Sequence, residues 1–387
     1  LVPFHVSMTK NVQKSEEGEF FYLRIQFHVP DANGKLPVGA KPGKVFVKEL
    51  SYRSKGQSLQ QTFIAIQSLR KEAQMRAKAQ EVKESLVSQE TLKTIKDAPV
   101  RLRDVSVRPA ITKGKKMLGT LIAHANGFRY ITADRSFVDI IYANIKSCFL
   151  QRADKRSTTV LMHFELHNPI LISKNKKTNY LQFYAEVADG VHDVGSSSKY
   201  DEEDEARQEE EERQRRKKFN ERFANFARDV EDQWQRDVPE LKLEFELPIR
   251  KLGFSGVPNK EVVDILPTQN CLVALEDKQP MVIHMDEVDI VSLERIAFNL
   301  REFDLCVVYK DFKKPVSLIT SIPTKHLDDI KTWLHDSSIL YFESAFNLGW
   351  KKILADLSVD IRAFYEDGGW SAFWETNPEE DEDAEGG

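Results

Sequence analysis

The sequence predicts an α+β protein that is mostly β, and three observations along its 387 residues support this. Short runs of alternating apolar and polar residues, separated by Gly, Pro and Asn, are typical of strands and tight turns. Segments with apolar residues at helical spacing follow each set of predicted strands. The C-terminal part carries further apolar helical turns before an acidic end. We therefore expect β-modules that are closed by helices.

The composition is that of a globular protein with highly charged segments, 41% hydrophobic and 30% charged. No apolar run approaches the roughly 20 residues that cross a bilayer, and no secretory signal opens the chain. Cys148, Cys271 and Cys306 are widely spaced in apolar surroundings, which predicts reduced thiols of a cytosolic or nuclear protein. Leu1 is not a start methionine, so we expect a fragment of a longer protein.

Residues 1–57 predict part of a β-domain, and residues 58–98 predict a helix with a connector. Phe20–Val29 and Val45–Tyr52 are predicted strands, separated by a loop rich in Gly and Pro. From Gln57 onwards apolar residues recur with a helical period and then fade into a charged stretch. This pattern predicts a helix that caps the domain and continues into an exposed connector.

Residues 99–236 predict a module of seven strands and one helix, which includes an acidic insertion. Gly119–His124, the turn Asn126–Gly127 and Phe128–Ile131 predict a hairpin. The other predicted strands are Val138–Ala143, Ile145–Gln151, Thr158–Leu166, Ile170–Ser173 and Tyr180–Val187. The closing helix carries one apolar stripe: Phe219, Phe223, Phe226, Val230 and Trp234. This order of elements is that of a pleckstrin-homology-like barrel, a bent sheet plugged by a helix.

Residues 237–345 repeat the order of elements without repeating the sequence. Leu241–Leu247 alternates as a strand does, and Gly253–Asn259 predicts a loop. Further predicted strands are Cys271–Leu275, Met281–His284, Asp289–Ser292, Arg295–Leu300, Leu305–Phe312 and Val316–Ile322. Thr324–Leu334 is the predicted closing helix, with Thr324 as its N-cap. The fold class is therefore tandem pleckstrin-homology-like barrels with capping helices.

The sequence contains no catalytic constellation. His163 and His167 flank Glu165 but alternate with period two, which predicts a strand. Residues four apart in a strand lie about 13 Å apart, too far to share one metal ion. Nucleophile elbows and phosphate-binding loops are missing. We expect no enzymatic activity, no cofactor and no metal.

One charge-blocked segment, Asp201–Lys218, places nine acidic residues before a basic run. Acids at the start of a helix and bases further along support each other and the helix dipole. A solvated helix start therefore explains the pattern, and a dedicated binding site is the alternative.

Residues 346–370 are predicted to form two apolar helical turns that bend back on each other. Residues 371–387 are predicted to form the start of an acidic tail. The candidate binding surface of the turns comprises Leu348, Trp350, Ile353, Leu354, Leu357, Ile361, Phe364 and Tyr365. So much apolar surface predicts a groove for a partner, with packing on the preceding module as the alternative. The tail joins aromatic anchors to acids: Trp370, Phe373, Trp374, Glu379, Glu380, Asp381, Glu382 and Asp383. Such a tail can cover a basic partner, or it can simply be solvated.

Several segments resemble the large subunit of the FACT histone chaperone. In the second module these are Pro248–Asn259, Leu293–Phe298 and Asp304–Pro315. The others are Pro3–Val6, Glu19–Ile25, Val107–Ala110, Asn126–Tyr130 and Gly368–Trp370. Because the segments keep the family's order over nearly the whole chain, chance does not explain them.

The resemblance implies the end of a dimerisation domain, a tandem middle domain and a C-terminal helical U-turn. It implies a nuclear protein that binds core histones and nucleosomes during transcription, DNA replication and DNA repair. By the same resemblance the U-turn binds the outer histone dimer, and the tandem modules bind the central tetramer. The small FACT subunit is the implied partner of the dimerisation domain, which is incomplete here. No membrane partner is expected, and direct DNA contact is left open.

Two other classes of function fit part of the sequence. A lipid- or peptide-binding scaffold of pleckstrin-homology type needs a basic cluster after the first strand, and Lys113, Lys115 and Lys116 are the candidates. A structural dimerisation adaptor would use the N-terminal domain alone, and this role is compatible with histone binding.

Overall fold

The computed structural model describes residues 5–29, 46–55, 58–84, 86–111, 117–173, 176–187, 202–297 and 299–376. Within these ranges nineteen strands form four sheets. Helices flank or close the sheets, and none of the described helices is long and apolar enough to span a membrane. The predicted α+β, mostly β class is confirmed, but none of the four described sheets closes into the predicted barrel.

The N-terminal part is a three-stranded antiparallel sheet covered by one helix. Its elements are β1 (Thr9–Glu17), β2 (Phe20–Phe27), β3 (Glu49–Lys55) and α1 (Ser58–Glu84), with the strands in chain order. Val12, Leu23 and Phe27 form its buried side, against which α1 packs. The two predicted strands and the predicted helix are present, although β3 begins four residues after the predicted Val45. Two of the apolar residues at helical spacing, Leu69 and Met75, are exposed and not buried on the sheet.

The segment after α1 is mostly exposed, as the sequence predicts, but hydrogen bonds hold it against the next module. Its backbone runs extended along the first hairpin of the next module, where the Lys93 amide donates to Asn126 Oδ1 at 2.7 Å. The Ile95 amide donates to His124 Nδ1 at 3.1 Å, and the Ala125 amide donates to the Lys93 carbonyl at 3.2 Å. Polar side chains at the turn thus supply acceptors that hold an otherwise charged segment in place.

The first module is an eight-stranded sheet closed by a long helix. Its strands are β4 (Arg101–Arg108), β5 (Gly119–Ala123), β6 (Gly127–Thr132), β7 (Phe137–Ile141), β8 (Ile145–Gln151), β9 (Thr159–Ser173), β10 (Lys176–Glu186) and β11 (Phe245–Glu246). They lie in the order β11-β8-β9-β10-β4-β5-β6-β7. The helix α2 (Glu202–Asp237) buries Phe223, Phe226, Val230 and Trp234 in the core, which confirms the predicted stripe.

Three local predictions for this region need correction. The two predicted strands Thr158–Leu166 and Ile170–Ser173 form one strand, β9, because β10 pairs with both parts across small register shifts. The predicted strand Leu241–Leu247 shortens to β11, since Pro239 begins a 3₁₀ turn that ends at Lys242 with φ of +47°. The strand β11 pairs in parallel with β8 and so completes the sheet of the first module.

The second module consists of two four-stranded sheets and a closing helix. The first sheet contains β12 (Phe254–Gly256), β13 (Val263–Pro267), β14 (Cys271–Ala274) and β15 (Met281–His284). The second contains β16 (Val288–Glu294), β17 (Glu302–Tyr309), β18 (Ser317–Pro323) and β19 (Leu340–Glu343), in the order β18-β17-β16-β19. A bridge between Val257 and Thr320 links the sheets, and α3 (Leu327–Asp336) buries Ile330 and Leu334 between them.

Two predictions in this module are wrong. The predicted strand Arg295–Leu300 is irregular where the structure describes it, because Arg295 has φ of +60°, which a strand does not allow. Thr324 does not cap α3, whose N-cap position is His326. The Thr324 hydroxyl instead donates to the Leu300 carbonyl at 3.3 Å.

The two modules share a buried apolar seam. Phe149, Leu161 and Tyr184 of the first sheet pack against a cluster of the second module: Leu266, Cys271, Val273 and Leu275. Polar groups join the modules around this seam, since Gln182 Nε2 donates to the Leu275 carbonyl at 2.7 Å. His284 Nε2 and Glu165 Oε2 lie 2.6 Å apart across it. The tandem modules therefore pack directly against each other.

Candidate functional site

The C-terminal appendage folds into three short helices: α4 (Trp350–Leu357), α5 (Ile361–Glu366) and α6 (Gly369–Thr376). Asp360 caps α5, because its carboxylate accepts the Ala363 amide at 3.0 Å. Gly368 and Gly369 have φ of +102° and +61°, which lets the chain turn sharply into α6. The sequence predicts the first two helices, whereas the third occupies the predicted start of the tail.

Part of the predicted apolar surface packs on the second module. Trp350, Leu354 and Trp370 are buried against the outer face of β16 and β17. The residues that receive them are Ile290, Cys306, Val308 and Phe312. The alternative interpretation of the predicted apolar surface, packing on the preceding module, thus describes Trp350 and Leu354. Trp370, predicted as part of the tail, packs there as well.

Two acidic residues of β16 hold the appendage through hydrogen bonds. The indole of Trp350 donates to Glu294 Oε1 at 2.6 Å, and the Leu348 amide donates to Glu294 Oε2 at 3.3 Å. Burial raises the pKa of the Glu294 carboxyl. Asp289 accepts from both the Trp370 indole and the Tyr365 hydroxyl at 2.5 Å, and burial followed by this contact raises the pKa of Tyr365. The docking is therefore polar as well as apolar.

The rest of the predicted surface is only partly exposed, because four of its side chains pack against the same buried cluster. Ile361 is 38% exposed and Tyr365 is 45% exposed, whereas Leu348, Ile353, Leu357 and Phe364 are half-buried. Val359, in the bend between α4 and α5, is 86% exposed and was not predicted as a site residue. The signal that could have revealed it is a branched apolar residue inside a polar turn, Ser358–Asp360. We call Val359 and Ile361 the apolar bend.

Residues 350–367, around the apolar bend, contain four acidic residues and three basic ones, Lys351, Lys352 and Arg362. Asp356, Asp360 and Asp367 are exposed, and Glu366 accepts from Arg362 at 2.7 Å. An exposed apolar patch beside exposed carboxylates has the chemistry to bind a basic surface that exposes apolar groups.

The aromatic anchors predicted for the tail belong to this folded unit. Trp374 stacks on Phe342 with ring centroids 4.5 Å apart, and Trp370 meets Phe373 edge to face at 5.7 Å. Phe373 and Trp374 are half-buried. The acidic residues predicted to act with them lie outside the described residues: Glu379, Glu380, Asp381, Glu382 and Asp383.

The structure explains some of the other candidate site residues, and the rest lie outside the described residues. His163 and Glu165 lie on β9, as predicted, where His163 stacks on Tyr180 at 5.6 Å and burial lowers its pKa to about 4. Lys113, Lys115 and Lys116 lie outside the described residues. In the described ranges no cluster of His, Cys, Asp and Glu could hold a metal ion. The three cysteines are buried free thiols.

Three family models match consecutive parts of the chain. Residues 1–92 match the model of the FACT complex subunit (SPT16/CDC68), and residues 100–230 match the FACT complex subunit SPT16 PH-like domain. Residues 255–343 match the middle domain of the histone chaperone Rttp106-like family.

Curated relatives resemble nearly the whole chain. The FACT complex subunit SPT16 of Oryza sativa is 41% identical over 384 residues, which is 96% of this chain and 36% of the relative. That of Kluyveromyces lactis is 39% identical over 388 residues, with 96% and 37% covered. The chain thus spans about a third of the length of these relatives. A solved structure, that of the Spt16D Pob3N heterodimer, is 34% identical over 19% of this chain and 63% of that chain, with a TM-score of 0.16.

Proposed function

This chain belongs to the family of the FACT complex subunit SPT16, and on that basis we propose that it binds core histones as part of a histone chaperone. It would act in the nucleus, on nucleosomes that are taken apart and rebuilt during transcription and replication. A non-enzymatic role agrees with this family. The outer histone dimer would bind the helical appendage, and the central tetramer would bind the tandem modules.

The apolar bend, with the exposed carboxylates Asp356 and Asp360 beside it, is the observation that carries this proposal. Val359 exposes 86% of its surface, although the neighbouring side chains of α4 are packed. Removing such apolar surface from water stabilises a complex by about 25 cal/mol per Å². Histones are strongly basic, so the neighbouring carboxylates would complement them and would displace DNA without ATP.

The N-terminal sheet supports a second contact, with the small FACT subunit. The strand β3 is an edge of its sheet among the described residues, and edges readily pair with a partner. On the outer side of α1, Ile64 and Met75 are 59% and 54% exposed. A partner subunit that covers this face would bury both.

The first test is titration of the outer histone dimer with a Val359→Ser/Ile361→Ser variant at physiological salt. Because both side chains are exposed, we expect at least tenfold weaker binding with a melting temperature close to that of the parent. The matched control is Val262→Ser/Leu318→Ser, which removes two apolar side chains of the second module that are 71% and 42% exposed.

The control variant should bind the dimer as the parent does. Equal affinity of the bend variant and the parent would contradict the proposal, and the acidic segments would then account for binding. Substitution of Ile353 or Phe364 is less informative, because these residues also contact the buried cluster.

A further inference from the structure

A basic cleft of about 420 Å³ lies along the flank of α2 in the first module. Four cations line it, Arg152, Arg213, Arg216 and Lys217, together with Asn220 and Glu221. We propose that this cleft binds the phosphate groups of a nucleic-acid backbone. The proposal is independent of the proposed binding of the outer histone dimer, because the cleft lies on the first module and the apolar bend lies on the C-terminal appendage.

The cations form two facing walls. Arg213, Lys217 and Asn220 lie on one side of α2, at spacings of three and four residues. Arg152 faces them from the residue that follows β8. Over the four residues from Arg213 to Lys217 a helix rises about 6 Å, so these cations form a short row along the cleft.

The two walls are tied together. Asn220 accepts the Ala153 amide at 2.8 Å and donates to the Ala153 carbonyl at 2.9 Å. Arg250 donates to the Arg152 carbonyl and pairs with Asp154 at 2.8 Å. The backbone of Arg152 is therefore fixed against α2, which reduces the ordering needed when a ligand binds.

The cleft contains donors that are short of acceptors. The buried Nε of Arg216 has no hydrogen-bond partner in the described part of the chain, although the guanidinium of the same residue pairs with Glu212 through Nη2. Arg152 likewise forms no ion pair with a described residue, and Arg213 and Lys217 lie 3.7 and 3.9 Å from the acids of their own helix. A bound anion would supply the missing acceptors, and exposed pairs of this kind exchange readily.

The regularly spaced phosphates of a nucleic-acid backbone fit this cleft better than an anionic peptide or a membrane surface does. Arginine binds phosphate oxygens through two parallel hydrogen bonds, and three of the four cations are arginines. A peptide or membrane would also need apolar anchoring, yet Ala224 is the one apolar residue in the lining. Phosphates repeat at regular intervals along a nucleic-acid backbone, so several of them can contact a row of cations at once.

The test is fluorescence anisotropy of the 387-residue chain with two unrelated 20-base-pair DNA duplexes over a series of salt concentrations. The variant is Arg152→Ala/Arg213→Ala/Lys217→Ala. Its control is Arg215→Ala/Lys218→Ala/Arg236→Ala, which removes the same charge from exposed positions of α2 outside the cleft. We expect at least tenfold weaker binding for the cleft variant at low salt and little change for the control.

The dependence of the DNA affinity on salt concentration distinguishes direct phosphate contacts from a general effect of the protein's charge. Each phosphate contact contributes about 0.9 to the slope of log K against log salt, so the cleft variant should lose a slope of roughly two to three. Both duplexes should bind equally. Histone-dimer binding by the cleft variant should equal that of the parent, which distinguishes this proposal from the previous one.

Three outcomes would overturn the inference. The parent could fail to bind DNA at low salt, or both triple variants could lose affinity and slope to the same extent. Inositol hexakisphosphate could bind more tightly than the duplexes and lose its binding in the cleft variant, which would assign the cleft to small anions instead.

Discussion

At the scale of single residues, buried carboxylates of β16 determine how the appendage is attached. Glu294 is 2% exposed and accepts hydrogen bonds from Trp350 and Leu348. Because burial raises the pKa of Glu294, its charge is unfavourable in the folded state and the donors offset part of that cost. The indole therefore stabilises the docked α4 through its N–H group as well as through its apolar surface.

We expect Trp350→Phe to lower the free energy of unfolding by about 1–3 kcal/mol, because it leaves a buried carboxylate oxygen without a donor. Glu294→Gln keeps an acceptor for the indole and removes the buried charge, so its effect should be smaller. Urea denaturation of both variants measures the difference. A larger loss for Glu294→Gln than for Trp350→Phe would contradict this account.

At the scale of elements, two glycines of the appendage differ in whether their positions tolerate a side chain. Gly368 adopts φ of +102°, and a Cβ there would lie 2.9 Å from Ala372 Cβ. Gly349, at the N-cap of α4, has φ of −78° and has open space where a Cβ would lie. The turn between α5 and α6 thus depends on glycine, whereas the start of α4 does not.

Gly368→Ala should therefore destabilise the appendage by about 1–2 kcal/mol, the usual cost of a left-handed backbone in a residue with a side chain. Gly349→Ala should be neutral or stabilising by up to about 1 kcal/mol, since it restricts the unfolded chain without strain. Thermal melting of the two variants provides the comparison. Equal melting temperatures would show that the turn can relax.

Periodicity also explains which elements could be predicted from the sequence. The stripe from Phe219 to Trp234 is local, so helical spacing identified both the helix and its buried side. The division of the appendage into buried Trp350 and exposed Ile361 is not local, because it depends on how α4 docks on β16 and β17. The same limit applies to β19, whose parallel pairing with β16 joins distant parts of the chain.

At the scale of the whole molecule, charged groups join the two modules beside the apolar seam. Lys146 of the first module lies 2.7 Å from Glu287 of the second, and Lys314 approaches the same carboxylate at 2.7 Å. The hydrogen bonds from Lys146 and then Lys314 lower the pKa of Glu287 to about 2. These residues are far apart in sequence, and nothing in their local patterns predicts the contact.

The lowered pKa has a defined consequence for stability. Glu287 stabilises the fold above the ordinary carboxyl pKa of about 4.5, and this contribution is lost as the pH falls through about 2. Glu287→Gln should therefore reduce stability at pH 7 and flatten its dependence on pH between about 4.5 and 2. Urea midpoints across this range measure the effect. An unchanged pH profile in the variant would contradict it.

The attachment of the appendage also determines what the tryptophan fluorescence of this protein reports. Three of its five tryptophans, Trp350, Trp370 and Trp374, belong to the cluster beneath α4 and α6, and two of them donate to carboxylates. Indole emission depends on such neighbours and on water. Intrinsic fluorescence is consequently weighted towards the docking of the three C-terminal helices, and it follows their release or capture without an added dye.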